Sequence, residues 1–541
     1  MPEVPEAPAP ALAARPLPRA LTAVVVGLYV LAFPYHPKLR SPNELCRLWQ
    51  ARAIVEFGSL SLNETIQAFG YVGDLSQKDG RLYPSKAPLL SFAAVPVYAA
   101  LKLIGGGHRY AVPELAQVYW SRLLIVVLPS LLALLLLRRF LGAYVAQPLA
   151  DAVTAVYALG TLGFSYSLLF LSHQPTAVLL WVAFYALWRC ARGEWRERGY
   201  LVAGLASGGA VASEYTGALG VGVLVLYGVL TWALRADLAP RERWVRVGRA
   251  LGLAALGALP PVAALMAYHT ACYGHPFETG YVNLNDPGYQ GWHLGGFLGI
   301  RTPDPRAFAL SFFSPLRGLY TLSPVLLVAL FGLRRLRRDG PERRALFWLS
   351  VTMLVGYAYF TSSFSYESWG WTTGPRHMTG LVPFLLLPIA LFLEGAGDAE
   401  GAKAAWARAV AVGLAVSSVL VTGVLTLLNY VPDSVTNALF GLAVPLLLDG
   451  YFPPTVLGVV LPNPYAGGLL LAAVVGATAM LFLALAKGSR TRAIAAAVAV
   501  AHVGLLAALP HGTDGDKGAT RFLESVWLAP PGANVHLWPG G

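Results

Sequence analysis

Cysteine, lysine and charge are all scarce in this chain, and each shortage closes a class of explanation. Cys46, Cys190 and Cys272 are the three cysteines among 541 residues. They are too few and too scattered for a disulfide framework or a zinc site. Charged residues make up 13% of the chain, against about 25% in soluble domains, which excludes an ordinary soluble enzyme. Lysine supplies seven of the 40 basic residues, so nearly all positive charge is arginine. The net charge of +12 does not signal nucleic acid, because no basic segment interleaves aromatics within a soluble domain. No internal repeat of the length that builds solenoids is visible.

What the chain has in abundance is apolar sequence: 56% hydrophobic residues with a mean hydropathy of +0.57. Apolar runs near the length of about 20 residues that crosses a bilayer recur from residue 20 to residue 510. Basic residues gather in short clusters between them: Arg138-Arg139, Arg189 to Arg198, Arg235 to Arg249, Arg334 to Arg344, Lys403 to Arg408 and Lys487 to Arg492. This is the positive-inside pattern. It predicts an all-α polytopic membrane protein of roughly 13 transmembrane helices, with one segment between 88 and 137 unable to cross. The Ala/Leu/Arg-heavy composition fits the inner membrane of a bacterium. Residues 1–19, rich in proline and alanine, are expected to be a disordered cytoplasmic N-terminus. No small-residue cleavage site follows the apolar run from 20 to 33, which reads as a retained first helix. The chain is divided into a first transmembrane module at 20–395, further helices at 396–510 and an extracytoplasmic tail at 511–541.

The outer loops fall at 35–87, 271–317, 362–376 and 428–464. Their charges are not explained by topology and need another reason. In the first, Ser41-Pro42-Asn43-Glu44 reads as a helix start: a capping serine, proline at the first turn and an acid three residues after the cap. Leu45, Leu48, Trp49, Ala51 and Val55 make an apolar stripe that predicts a juxtamembrane helix lying on the bilayer. Glu44 either completes a capping box or serves as a general base. Lys86 stands at the mouth of a hydrophobic helix, where it either snorkels or binds an anion. Arg376 and Arg317 each suit a helix-boundary anchor or a phosphate fork. His173 reads as a polar helix start, a substrate contact or a metal ligand. Glu214, at the end of an Ala/Gly-rich run, is costly unless it faces a wet cavity or a partner. Glycines 105–107 lack the strand–loop–helix context of a phosphate loop. Asp514-Gly515-Asp516 sits in a tail without a globular domain. No cluster has metal-ligand spacing, so no metal is assigned.

Several stretches carry a family resemblance. Pro42-Asn43-Glu44 with Arg52-Ala53-Ile54-Val55-Glu56-Phe57-Gly58 resembles the first loop of GT-C superfamily membrane glycosyltransferases, bacterial enzymes akin to protein mannosyltransferases and aminoarabinose transferases. Asp79-Gly80-Arg81-Leu82-Tyr83-Pro84-Ser85-Lys86-Ala87-Pro88 is similar to the next motif. Phe164-Ser165-Tyr166 to Ser172-His173-Gln174, Tyr273 to Tyr281, Ser314-Pro315-Leu316-Arg317 and Trp369 to His377 extend the match over residues 20–390. One departure stands out: the family usually has Asp-Glu or Asp where this chain has Asn43-Glu44.

The resemblance implies a GT-C-like bundle in the bacterial plasma membrane, part of cell-envelope assembly, with its active site outside the cytoplasm. A sugar would pass from a polyprenyl-phosphate donor to a hydroxyl on a lipid, glycan or protein acceptor, with inversion. Glu44 would be the catalytic base, and Lys86, Arg376 and Arg317 would hold the donor phosphate. Tyr83, His173, Glu214, Glu278, Glu367, Trp369 and His377 would line the substrate pocket. Members of the family differ in their use of a divalent ion, so the cofactor is left open. A transporter or flippase of lipid-linked sugars, or an O-antigen-type polymerase, is the alternative.

Overall fold

A computed structural model describes residues 19–36, 41–297, 299–337, 340–364, 370–371, 373–398, 401–428 and 430–528. The disordered stretch expected over 1–19 therefore lies, apart from Arg19, outside the described residues. The chain is a helical membrane bundle with two unlike ends. Among the described residues, six helices are long and apolar enough to cross a membrane: Glu114–Leu141, Pro240–Tyr273, Gly340–Ser363, Ala402–Leu428, Asn463–Leu485 and Ser489–Ala508. Shorter apolar helices, among them Arg19–Leu31, Gly199–Ser213 and Gly217–Ala233, fill the space between them.

One end of the bundle is built from arginine. Arg192 pairs with Glu342 at 3.0 Å, Arg249 with Glu197 at 2.7 Å and Arg138 with Asp151 at 2.6 Å. A cavity of about 890 Å³ opens there among Trp188, Arg192, Trp232 and Arg246. The loops expected outside meet at the other end. Tyr35 N–H donates to Pro454 C=O at 3.0 Å, Arg317 pairs with Asp433, and Asn437 Nδ2 donates to Leu506 C=O at 2.8 Å.

Leu89–Ile104, within the 88–137 stretch, is one of the shorter apolar helices. Both of its ends are tied to the first loop: Lys86, just before it, pairs with Asp74, and Lys102 in its last turn donates to Glu56 at 2.6 Å. Beneath it lies the loop helix Pro42–Arg52, in which every residue from Glu44 to Arg52 is buried. Its apolar residues do not rest on the bilayer. They pack against Leu90, Ala94, Val118, Val126 and Phe170, so protein rather than lipid covers them.

Two helices achieve unusually close contact through small residues. A Cβ on Gly204 would sit 1.8 Å from Ala254 C=O, and one on Gly257 would sit 2.1 Å from Leu201 C=O. Backbones approach this way where lipid offers no hydrophobic drive between helices. The run expected at 318–333 is broken at Ser323-Pro324 into Leu319–Leu322 and Leu327–Leu336. Side chains of the Ala402–Leu428 helix satisfy the freed backbone, with Thr422 donating to Leu322 C=O at 2.9 Å and Ser418 accepting from Val325 N–H at 3.0 Å. Non-helical backbone is tolerated at membrane depth only when it is satisfied by protein in this manner.

The fold is not purely α. Leu75–Lys78 and Arg81–Pro84 form an antiparallel hairpin. Its two-residue turn is Asp79-Gly80, with φ of 49° and 74°, the left-handed pair that hairpin turns require. Lys78 faces Arg81 and Leu75 faces Pro84. One step further, Ser85 N–H donates to Asp74 C=O at 2.9 Å. The turn therefore dictates that Asp74 and Lys86 end side by side.

Candidate active site

The hairpin register delivers the first pair of the site. Lys86 Nζ lies 3.3 Å from Asp74 Oδ1, with the two side chains 14% and 27% exposed. Asp74 adopts φ of 58°, a left-handed conformation that aspartate tolerates better than most residues. The hairpin is held from the far side by Ser76 Oγ donating to Gly280 C=O at 2.6 Å and by Asn285 N–H donating to Leu75 C=O at 3.0 Å.

Two arginines share this corner. Arg47, buried on the loop helix, donates to Asn43 C=O at 2.8 Å, to Asn43 Oδ1 and to Ser172 Oγ at 3.2 Å. Arg376 enters from the loop after the Gly340–Ser363 helix. In both guanidinium groups Nε is buried without a hydrogen-bond partner. Desolvation pushes the Asp74 carboxyl upward, but the positive charges of Lys86, Arg376 and Arg47 outweigh it and hold the group below the usual aspartate range. Lys86 shows the reciprocal balance: burial lowers it, Asp74 raises it further, and it ends above the usual lysine value. Lys86 pairs with Asp74 directly, and the charges of Arg376 and Arg47 act on the same carboxylate electrostatically. Tyr281 covers Lys86, its ring 5.4 Å from Nζ and stacked on His293 at 4.3 Å.

A second group adjoins the first through Arg376 and its neighbour. Glu214, in the turn between Gly199–Ser213 and Gly217–Ala233, lies 3.0 Å from His173 Nδ1 through one oxygen and 3.2 Å from His377 Nδ1 through the other. The two imidazoles meet edge to face at 5.1 Å. Among the described residues these three side chains are the group whose ligand atoms, all within 4.8 Å of one another, could hold a metal.

Of the residues singled out in the sequence, Lys86, Arg376, His173, Glu214 and His377 are brought together, while others stand apart. Glu44 is fully buried and clamped by Arg122: Nε donates to one oxygen and Nη2 to the other, each at 2.9 Å. Phe170 N–H and Tyr430 Oη donate to the same carboxylate at 2.7 and 3.1 Å. With both oxygens engaged and no exposure, this carboxylate anchors the loop helix and is not placed to take a substrate proton. Nor is it part of a capping box, since Ser41 makes no side-chain cap bond. Arg317 is committed to Asp433. Tyr83 is closed into a cluster with Tyr268, Cys272 and Tyr273. Glu278 accepts from Lys78 at 2.9 Å and from Asn283 at 2.7 Å, pinning the hairpin to the 271–317 loop. Glu367 and Trp369 lie outside the described residues.

Asp74 and Arg47 were missed by sequence reasoning. A signal for Asp74 was present: Asp-Gly is a strong short-range hairpin marker, and counting outward from Asp79-Gly80 pairs Asp74 with the Ser85-Lys86 step. Arg47 had a weaker one, as a cation one helical turn beyond Asn43.

No family model matches the chain, and no curated protein sequence matches it. Solved structures do. It is similar to ArnT from Cupriavidus metallidurans in the apo state, at 15% identity over 89% of this chain and 77% of that one, with a TM-score of 0.46. The same protein bound to undecaprenyl phosphate gives 13% identity, the same coverage and 0.46. The archaeal oligosaccharyltransferase AglB from Archaeoglobus fulgidus, in complex with an inhibitory peptide and a dolichol-phosphate, gives 13% identity over 76% of this chain and 56% of that one, at 0.47. Arabinosyltransferase EmbB from Mycobacterium smegmatis gives 16% over 96% and 42%, at 0.44.

Proposed function

We propose that this chain is an integral-membrane glycosyltransferase that moves a sugar from a polyprenyl-phosphate donor to an acceptor hydroxyl. The observation that carries this reading is the Lys86–Asp74 pair with the charges of Arg47 and Arg376 acting on the same carboxylate, at the loop end of an apolar bundle. Such a cage has an excess of positive charge and two buried guanidinium Nε–H groups without partners. A phosphate ester supplies what is missing, and charge-assisted bonds to its oxygens are among the strong ones. A donor whose lipid stays in the bilayer presents its phosphate at this depth.

The reaction follows from the same charges. The acceptor oxygen attacks the anomeric carbon as the bond from that carbon to the phosphate oxygen breaks, which inverts the centre. Polyprenyl phosphate leaves with the bonding electrons, and the three cations stabilise the charge as it develops. The acceptor proton goes to a carboxylate, and Asp74 is the one the cage presents. In the free site its cations hold it ionised. Once they turn to the phosphate, Asp74 recovers proton affinity at the moment a base is needed. The positive-inside pattern supports a site outside the cytoplasm. Glu214, between two imidazoles, lines the neighbouring subsite.

The test is sugar transfer by the purified full-length protein in nanodiscs, using radiolabelled polyprenyl-phosphate sugars against lipid, glycan and peptide acceptors. Label moving to one acceptor class from a lipid-phosphate donor supports the reading. Uptake of label only from nucleotide sugars would overturn it.

A further inference from the structure

The arginine end of the bundle holds a cavity of about 890 Å³ that the transfer reaction does not use. We propose that this cavity binds the phosphate head group of an anionic phospholipid from the leaflet on that side. The inference holds whether or not a sugar is transferred at the opposite end.

The cavity is assembled where helices end. His173–Ala191 and Gly217–Ala233 finish at it, and Gly199–Ser213, Pro240–Tyr273 and Gly340–Ser363 start beside it. Its volume is that of a small-molecule site. The positive-inside rule explains why arginine collects on this side, but not why the arginines surround a hollow. Five guanidinium groups line it, from Arg192, Arg196, Arg235, Arg246 and Arg249, against four carboxylates.

The most enclosed acids are already engaged. Glu342 accepts from Tyr144 Oη, from Trp188 Nε1 at 3.2 Å and from Arg192 at 3.0 Å. Glu194 pairs with Arg189 at 2.5 Å and with Arg192 at 2.7 Å. The arginines keep spare capacity, since each guanidinium carries five N–H donors. Among the described residues no acid pairs with the Arg196 side chain. Arg246 pairs with Glu242 at 2.6 Å, but the two side chains are 45% and 46% exposed, and such a pair is weak. Trp232 holds the Arg246 guanidinium at 4.9 Å from its ring. Phosphate oxygens accept charge-assisted, often bidentate bonds from groups so placed.

The rim selects a lipid over a free phosphate. Trp195 and Val245 line the cavity while 37% and 54% exposed, and tryptophan favours the membrane–water boundary. Basic pockets between helices on the cytoplasmic side suit anionic head groups. A head group seated among the arginines leaves its chains to follow the exposed apolar face of Pro240–Tyr273, where Leu256 and Leu259 are 55% and 58% exposed.

The experiment takes full-length protein, delipidated in detergent, and reads binding by native mass spectrometry. The probes are dioleoyl phosphatidylglycerol, the zwitterionic dioleoyl phosphatidylethanolamine and soluble glycerol 1-phosphate. One phosphatidylglycerol per chain is expected, bound ahead of the zwitterionic lipid. Attraction of one basic residue to an anionic lipid surface corresponds to about a 5-fold change in affinity. Arg196→Gln should therefore weaken binding by about 5-fold, and Arg196→Gln with Arg246→Gln by about 25-fold. Arg306→Gln, exposed in a loop at the opposite end, should bind as the wild type does. Equal retention of the two lipids by wild-type protein would overturn the proposal. So would undiminished binding in the folded double variant. Displacement of the lipid by glycerol 1-phosphate at matched concentration would overturn the lipid assignment in favour of a soluble phosphate. The comparison of lipids uses wild-type protein alone, so it decides the matter even where a variant does not fold.

Discussion

At the scale of single residues, the account turns on Asp74 and Lys86, each of which shifts the other. Asp74 sits below its ordinary value of about 3.9, so its share of stability is present above that value and is lost as pH falls through the lower folded one. Lys86 sits above its ordinary value, so its share is present below about 10.4 and is lost as pH rises through the higher folded one. Both are in force at neutral pH. Replacing Lys86 with methionine removes the foremost attraction on Asp74 and leaves desolvation to act. The acid limb of kcat/KM against pH, which reports the free enzyme, is expected to move to higher pH in Lys86→Met. An unmoved limb would mean that Asp74 is not the titrating base. The residue scale is also where sequence reading reached least far. Glu44 had the right type, loop and motif, but nothing in its neighbourhood reveals Arg122, 78 positions away. That pairing depends on how the Glu114–Leu141 helix passes the loop helix, a tertiary fact.

Among the elements, the first loop is the most instructive. Helices, their order and the two-sided distribution of charge were legible because hydropathy and positive-inside clustering act on long stretches. Short elements were less so. The Asp79-Gly80 hairpin was present in the residues yet masked by a motif read for its resemblance. The break at Ser323-Pro324 was hidden by continuous hydropathy. The cluster of His173, Glu214 and His377 had no readable spacing because its members come from three helix ends. The loop helix owes its place to the buried Glu44–Arg122 pair, which also reaches Pro34 C=O, Phe170 N–H and Tyr430. Removing one partner leaves a buried charge, which typically costs about 3–5 kcal/mol. Glu44→Gln and Arg122→Met should each lower the thermal midpoint in tryptophan fluorescence. The double variant should recover much of the loss, since it buries no unpaired charge. Single variants that melt with the wild type, while losing only transfer, would return Glu44 to a catalytic role.

For the whole molecule, one end is arginine and the other is loop, and the site belongs to the loop end. The three native cysteines are buried, which makes single introduced cysteines readable. Gln67→Cys lies exposed on the first loop and Arg196→Cys lies exposed among the arginine clusters. A membrane-impermeant maleimide applied to intact cells should label Gln67→Cys at once and Arg196→Cys only after permeabilisation. The reverse pattern would put the cage in the cytoplasm, where a donor of different origin would be needed.

These scales meet in a single-turnover assay of Asp74→Asn, measured with a radiolabelled polyprenyl-phosphate sugar and its acceptor in nanodiscs, alongside donor binding. The account predicts that the variant keeps the donor bound at or above wild-type affinity, because the three cations no longer share a carboxylate. Its transfer should be slower by about 10²–10⁴-fold, the usual cost of losing a general base. Transfer at the wild-type rate by a folded Asp74→Asn would contradict it.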